Sequence, residues 1–254
     1  MLMEPLFEKL TVLRLPGMRE ELKEQMTNTH YSELSFEERF NLLVDHEINL
    51  RTQRALHRRI KNAKFRMQAT IEDLNISSAR GLNRQQILEL AGCDWIRNHL
   101  NVVITGATGV GKSFLAQALG WEACRKGFTT LYARTSRLIC DIEMTHADGT
   151  YSKFLDKLAR FDLLILDDWL RDVLKPSQSR DLLEVCDDRY QRSSTILVSQ
   201  IPITKWNARM KEPTLADAIL DRSIHSAYRI QMEGESQRKI RDRKSTRLNS
   251  SHYS

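Results

Sequence analysis

Cysteine, proline and long apolar runs are scarce in this chain of 254 residues, and each scarcity excludes a class of protein. The four cysteines, at positions 93, 124, 140 and 186, form no C-x-x-C pair, so we expect neither a disulfide framework nor a zinc site. The apolar runs are too short to cross a bilayer, and the residues after Met1 do not resemble a secretory leader. We therefore expect a globular cytoplasmic protein without membrane contact.

Glycine is also rare in the first part of the chain, where Gly17 is the only one before residue 76. Few turn-forming residues and a helical spacing of apolar side chains predict a small all-α domain over residues 1–75. Ser35 followed three residues later by Glu38 predicts a capping box at the start of a long helix. The polar stretch 73–78 marks the predicted boundary.

Acidic residues are absent between Arg51 and Arg66, a stretch that we call the basic stretch. We predict one helix over this stretch, with an apolar stripe of Leu56, Ile60, Ala63 and Met67. A solvated amphipathic helix is the alternative, but such faces usually mix both signs of charge. The pattern therefore favours contact with the phosphates of duplex DNA. Its seven basic residues are Arg51, Arg54, Arg58, Arg59, Lys61, Lys64 and Arg66.

An apolar run over residues 101–105 leads into a glycine-rich turn that fits the phosphate-binding loop G-x-x-x-x-G-K-S at every position. Backbone N–H groups of such a loop surround an anion, and the helix that follows adds its positive dipole end. Lys112 would bind the β- and γ-phosphates, and the Ser113 hydroxyl would bind Mg²⁺. A chance glycine turn is the alternative, which the strand before and the helix after disfavour. The predicted loop residues are Gly106, Ala107, Thr108, Gly109, Val110, Gly111, Lys112 and Ser113.

Two carboxylates end the apolar run 161–168, as expected of a buried parallel strand that places acids at the edge of a sheet. Together with the phosphate loop, this pattern indicates a Walker B element. Asp167 would hold Mg²⁺, and Asp168 would orient or deprotonate the attacking water. Ser199 and Gln200 end a further apolar strand and could contact the γ-phosphate or that water. Solvated acids and simple turn residues are the alternatives.

Strands that alternate with helices predict a three-layer α/β domain with a parallel sheet over residues 76–240. The short distance between Gln200 and the basic run that begins at Arg238 leaves room for only a reduced lid or none. We expect the polar, patternless residues 241–254 to be a disordered tail or a foreign end. A net charge of +6 and an isoelectric point near 9.2 favour a polyanionic partner.

The ordered combination of motifs resembles the IstB-type transposition helper ATPases of bacterial insertion sequences, which belong to the AAA+ class of P-loop NTPases and are akin to DnaC helicase loaders. The phosphate loop by itself also occurs in a much larger superfamily, whereas the ordered combination of motifs is specific. Leu170 departs from the pattern, because the family usually has glycine there. The resemblance is carried by residues 13–18, 106–113, 163–168, 197–200, 217–222 and 234–239.

The resemblance implies binding of ATP and Mg²⁺, with Ser199 or Gln200 as the first sensor. Arg222 would be a finger that enters the site of a neighbouring subunit, and Arg238 a second sensor near the γ-phosphate. It also implies a homo-oligomeric ring or helix that assembles on duplex DNA, mainly without sequence specificity, and recruits a transposase. A replicative helicase loader, a P-loop kinase and a nucleotide-gated binding module with little turnover are the alternatives.

Overall fold

The computed structural model describes residues 4–236. Arg238 and the tail 241–254 lie outside this range. The chain divides into two compact units between Arg58 and Arg59. Residues 59–75 therefore group with the second unit, whereas we assigned them to the helical domain. The predicted functional limits, 1–75 and 76–240, stay a prediction.

The first unit is helical, as predicted. It contains α1 (Glu4–Val12), a short 3₁₀ helix (Thr29–Glu33), α2 (Pro16–Thr27) and the larger part of α3 (Phe36–Ala63). Pro16 begins α2. Proline has no backbone N–H, but an N–H at the start of a helix would have no partner within the helix, so no hydrogen bond is lost. The predicted capping box is confirmed at α3: Ser35 N donates to Glu38 Oε2 at 2.8 Å, and Glu38 N donates to Ser35 Oγ at 3.3 Å.

Glu47 is a buried carboxylate that connects α3 to the first turn of α2. Its Oε2 accepts from Gly17 N at 2.6 Å and Met18 N at 3.2 Å, and its Oε1 accepts from Arg51 Nε at 2.6 Å. Burial favours a higher pKa, but the hydrogen bonds from Arg51, Met18 and Gly17 together hold the pKa of Glu47 below its usual value. The ionised carboxylate therefore stabilises the packing of these two helices.

The α3 helix ends at Ala63, because Lys64 adopts a left-handed φ of 56°. The prediction of a helix that continues to Arg66 is therefore wrong, and Lys64 and Arg66 lie beyond its end. Arg66 N instead donates to Gln117 Oε1 at 2.7 Å. Met67 is 44% exposed and does not belong to the predicted apolar stripe.

Five parallel strands form the sheet of the second unit, in the order β2-β3-β4-β1-β5. The strands are β1 (Val102–Gly106), β2 (Thr130–Arg134), β3 (Leu163–Asp167), β4 (Ser194–Ser199) and β5 (Tyr228–Met232). The helices are α4 (Arg84–Gly92), α5 (Asp94–Arg97), α6 (Lys112–Arg125), α7 (Thr135–Asp148), α8 (Tyr151–Ala159), α9 (Pro176–Arg189) and α10 (Pro213–Ile224).

Alternate strand residues belong to different hydrophobic cores, one on each face of the sheet. Val102 and Ile104 pack into the core that contains residues of α4, α5 and α6, whereas Val103 packs into the core that contains residues of α7 to α10. This alternation follows from the two-residue period of a strand. It confirms the predicted three-layer α/β architecture with a parallel sheet. Among residues 4–236, no helix has both the length and the apolar character needed to cross a membrane.

We expect Glu47→Gln to lower the free energy of unfolding by about 2 kcal/mol at neutral pH, because charge-assisted hydrogen bonds contribute roughly that amount. The pKa of Glu47 in the folded chain lies below the ordinary glutamate value of 4.5, so this contribution is present above pH 4.5 and is lost as the pH falls through the folded pKa. Urea unfolding of the full chain at several pH values measures the difference. Glu8→Gln, at an exposed position of α1, is the control. Equal losses in both variants would contradict a specific role for Glu47.

Candidate nucleotide-binding site

The carboxyl ends of β1, β3 and β4 meet at one edge of the sheet, because β4 lies between the other two strands. A pocket of about 280 Å³ opens at this edge. The structure thus brings together the predicted phosphate loop, the two acids and Gln200. The predicted residues that line the pocket are Thr108, Gly109, Gly111, Lys112, Ser113, Asp167, Asp168 and Gln200.

Two glycines are required by the path of the loop. Gly111 has a φ of 103° immediately before α6, a conformation that strains any residue with a Cβ. At Gly106, a Cβ would collide with the carbonyl of Met232 on β5. The loop therefore turns sharply from β1 into α6, so that the N-terminus of that helix faces the pocket.

Lys112 is 6% exposed, and its Nζ donates to the carbonyl of Ala107 at 2.8 Å. Burial lowers the pKa of Lys112, while the charges of Asp167 and Asp168 oppose that shift. An ammonium group has three N–H donors, and only one has an acceptor within the described part of the chain. Lys112 can therefore donate to an anion in the pocket.

Asp167 is 4% exposed, and hydrogen bonds fix its carboxylate. Tyr132 OH donates to Oδ2 at 2.7 Å, and Asp168 N donates to Oδ1 at 2.8 Å. Burial raises the pKa of Tyr132, and the hydrogen bond to Asp167 adds to that shift, so the phenol stays a donor. Each carboxylate oxygen keeps a further lone pair, and Ser113 places a hydroxyl on the same pocket. These oxygen donors fit the ligand preference of Mg²⁺.

Gln200 connects the phosphate loop to the second acid. Its Oε1 accepts from Thr108 Oγ1 at 2.7 Å, and its Nε2 donates to Asp168 Oδ1 at 3.4 Å. On the other side of Asp168, Arg171 Nη1 lies 3.3 Å and Arg134 Nε 3.7 Å from Oδ2. One amide side chain therefore couples the two halves of the pocket.

Asp168 and Leu170 both have left-handed backbones, with φ values of 56° and 52°. The turn thus forms without the usual glycine, at a cost of about 1 kcal/mol for each left-handed residue. Leu170 is 1% exposed and packs into the core on the α7 to α10 face. Burial of its side chain offsets that strain.

Ser199 does not line the pocket. It is buried, its Oγ donates to Trp169 O at 2.7 Å, and the same oxygen accepts from Ile201 N at 3.0 Å. Both contacts hold the backbone that follows β3 and β4. The structure therefore separates Ser199 from Gln200, which we treated as equal candidates.

Arg222 lies on α10, away from the pocket of its own chain. Its guanidinium forms an ion pair with Asp187 and donates through Nη1 to Ala218 O at 3.0 Å. It lines a second pocket of about 250 Å³ together with Asn101 and Thr195, which lie where β1 and β4 begin. Arg222 is thus at the opposite edge of the sheet from the phosphate loop.

The seven residues of the basic stretch differ in their contacts. Arg51 binds Glu47, and Arg59 Nε donates to Cys124 O at 2.9 Å. The others are exposed and form no ion pair within residues 4–236. They are Arg54, Arg58, Lys61, Lys64 and Arg66.

Several residues in or behind the pocket were not found by sequence reasoning. Tyr132 supports Asp167 without lining the pocket, and its contact depends on the pairing of β2 with β3. Arg134 lines the pocket and belongs to no motif. The segment before β1 contributes Met67, Asp73, Leu74, Asn75 and Arg80, and the other lining residues are Phe114 and Val198.

Comparison with known structures places the fold. The chain superimposes on a DnaC helicase loader with a TM-score of 0.56 and 19% identity, over 65% of this chain and 97% of the other. AMPPCP-bound DnaA from Aquifex aeolicus gives a TM-score of 0.57 and 20% identity, over 72% of this chain and 56% of the other. At these identities the likeness shows a shared fold alone, which is the predicted α/β fold with a parallel sheet.

Sequence comparison is more specific. An insertion sequence ATP-binding protein of Sinorhizobium fredii is 43% identical over 245 residues, 96% of this chain and 100% of that protein. The insertion sequence IS21 ATP-binding protein of Pseudomonas aeruginosa is 30% identical over 242 residues, 95% of this chain and 90% of that protein. The profile of the family described as IstB-like ATP binding protein matches residues 8–245. This chain therefore belongs to the IstB-like ATP binding protein family.

Proposed function

We propose that this protein is an ATPase that assembles on DNA and assists a transposase. The observation that carries the ATPase proposal is the chain of hydrogen bonds from Thr108 through Gln200 to Asp168, which joins a phosphate loop to an acid within one pocket. The names of the curated relatives support ATP as the nucleotide and an insertion sequence as the context.

The phosphate loop would bind the triphosphate through its backbone N–H groups, with Lys112 as the cation. Ser113 and Asp167 would hold Mg²⁺, which would neutralise phosphate charge when bound. Tyr132 OH donates a hydrogen bond to the Asp167 carboxylate and fixes its orientation. This support keeps the carboxylate oriented toward the pocket without a rearrangement on binding.

Asp168 would accept the proton of the attacking water. Its side chain is 18% exposed, so water can reach it, and Gln200 holds one of its oxygens. As water attacks the γ-phosphorus, the bond to the β–γ bridging oxygen breaks and the water proton passes to the carboxylate. Gln200 would act as the first sensor, and Ser199 would support the turn on which Gln200 lies.

Arg222 would complete the site of a neighbouring subunit. Because it lies at the edge opposite its own phosphate loop, it can serve a nucleotide only in another copy placed head to tail. Such a contact propagates into a ring or an open helix, so we propose a homo-oligomer. The second-sensor role of Arg238 stays a prediction outside the described residues.

The transposition role rests on the relatives, and the chemistry on DNA would belong to the transposase. A replicative helicase loader would have the same fold, so the DnaC likeness does not separate the two. A loader binds a hexameric helicase, whereas a helper binds the transposase encoded beside it. Copurification with each candidate partner distinguishes them. A P-loop kinase would transfer phosphate to an acceptor other than water. The cytoplasmic location stays a prediction.

The exposed cations of the basic stretch would bind duplex DNA through its phosphates. Arginine and lysine can follow a charged backbone, but the stretch lacks the cluster of Asn and Gln that bidentate base contacts would require. We therefore propose binding that is mainly independent of sequence. ATP should tighten it, because assembly aligns many such stretches along one duplex.

Two substitutions should separate binding from hydrolysis. We expect Lys112→Ala to abolish ATP binding, because it removes the only lysine of the phosphate loop. We expect Asp168→Asn to retain MgATP but stop turnover, because an amide cannot accept the proton. Equilibrium binding of a fluorescent ATP analogue and phosphate release measure the two steps. Lys126→Ala and Asp172→Asn are exposed controls. Near-normal affinity in Lys112→Ala would refute the site, and turnover in Asp168→Asn would assign the base to another residue.

We expect Arg222→Ala to bind ATP but lose most hydrolysis, since arginine fingers that act between subunits contribute roughly 10³ to 10⁵ in rate. Mixing this variant with Lys112→Ala should restore part of the activity, because each supplies the group that the other lacks. Arg180→Ala, which also removes a surface ion pair, is the control. Mixed oligomers as inactive as the separate variants, despite proven co-assembly, would argue against a role between subunits.

Changing Arg54, Arg58 and Lys61 together to Glu should weaken duplex binding on every sequence and leave hydrolysis without DNA intact. Each lost phosphate contact should reduce the log-log salt slope by roughly 0.9. Fluorescence anisotropy at several salt concentrations measures both effects. The control changes Lys126, Lys157 and Arg160 to Glu, which alters net charge equally at exposed positions. Unchanged affinity and slope would move the DNA site elsewhere, with Arg134, Arg137 and Lys153 as the next candidates.

A further inference from the structure

Arg80 is a buried arginine in the wall of the nucleotide pocket that no motif accounts for. It ends the short 3₁₀ helix Ser78–Arg80 and is 8% exposed. Nη1 donates to the carbonyl of Asn75 at 2.5 Å, and Nη2 donates to the carbonyl of Val110 at 2.6 Å. One side chain therefore joins the segment before β1 to the phosphate loop.

Within the described residues, the charge of Arg80 has no counterion. It forms no ion pair within residues 4–236, and its Nε is buried without a hydrogen-bond partner there. Asp73 lines the same pocket, but its carboxylate accepts from Thr70 Oγ1 at 2.7 Å. Burial lowers the pKa of Arg80, which reflects the cost of keeping this cation away from water. An anion in the pocket would supply the missing charge.

Arg189 illustrates how a buried arginine is satisfied when its role is structural. Its guanidinium donates to four partners that connect α8, α9 and β4, and it does not line the nucleotide pocket. Those acceptors are Thr195 Oγ1 and the carbonyls of Leu158, Phe161 and Ser194. Arg80 has two acceptors and faces the site of a polyanion, so packing alone does not explain its burial.

The hydrogen bond to Val110 also orients the loop. A peptide group is planar and trans, so the Val110 carbonyl and the Gly111 N–H point in opposite directions. Holding that carbonyl on Arg80 therefore fixes the direction of the N–H at the start of α6. Glycine also leaves room for this contact, because a Cβ on Gly111 would lie 3.0 Å from Arg80 Nη2, closer than most Cβ contacts.

We propose that Arg80 is a nucleotide-positioning residue, which fixes the Val110–Gly111 peptide and adds positive charge beside the polyphosphate of a bound nucleoside triphosphate. This proposal rests on the proposed ATP site and deepens it. Because Arg80 also holds the carbonyl of Asn75, nucleotide binding should order the segment 75–80. The position of that segment, between the basic stretch and β1, makes it a route by which ATP influences the rest of the chain.

The test uses the full chain with Arg80→Gln and Arg80→Lys, and Arg84→Gln as an exposed control. Isothermal titration gives the affinities for ATP, ADP and AMP. We expect Arg80→Gln to weaken the binding of ATP and ADP by about tenfold or more, as for a lost charge-assisted contact. The binding of AMP should weaken much less. The affinities of Arg80→Lys should lie between those of Arg80→Gln and the wild type. Lysine keeps the positive charge but lacks the two NH₂ groups of the guanidinium. KM for ATP should rise more than kcat falls.

Hydrogen exchange provides a readout that a purely structural role would not change. ATP should protect the amides of residues 75–82 in the wild type and much less in Arg80→Gln. Unchanged ATP affinity in folded Arg80→Gln, or equal losses for ATP and AMP, would overturn the proposal. If Arg80→Gln does not fold, Arg80→Lys decides, and wild-type ATP affinity in that variant would overturn it. A wild type that binds no ATP would refute the nucleotide site as well.

Discussion

The place of β4 between β1 and β3 is the constraint on which the candidate site depends. Neighbouring strands lie about 4.8 Å apart, so the phosphate loop after β1 and the acids after β3 are separated by roughly twice that distance. The residue that follows β4 must span this gap. Gln200 has the length and both hydrogen-bonding groups to do so, and it contacts Thr108 on one side and Asp168 on the other. Parallel strands are necessary, because only they present these ends at one edge.

The charged side chains of the pocket differ in whether an opposite charge lies nearby. Asp167 is held by Tyr132 and by the backbone of Asp168, and its negative charge favours the protonated form of Lys112 against the effect of burial. Lys112 and Asp167 are therefore partly compensated before any ligand binds. Arg80 lacks such a counterion within the described residues. This asymmetry leaves one buried cation, without an ion-pair partner among the described residues, on the side of the pocket formed by the segment before β1.

Local patterns were sufficient to predict the elements, whereas contacts between distant elements were not. The apolar run before Asp167 and the glycines before Lys112 each identified a strand end, because periodicity and turn chemistry are local. Ser199 and Gln200 could not be separated, because neighbouring residues of a strand point to opposite faces and the sequence does not say which faces the pocket. Tyr132 could not be assigned a role without the pairing of β2 with β3.

The end of α3 is the instructive error, because the same contacts that end the helix also build the pocket wall. Helix propensity continues past Ala63, but Gln117 on α6 accepts from the backbone of Arg66 and Met67 at 2.7 and 3.3 Å. That tertiary contact directs Met67 to the nucleotide pocket. Gln117 also donates to Ser113 O at 3.0 Å, one turn earlier on α6. The end of the basic stretch is thus hydrogen-bonded, through one side chain, to the helix turn that carries the proposed phosphate and magnesium ligands.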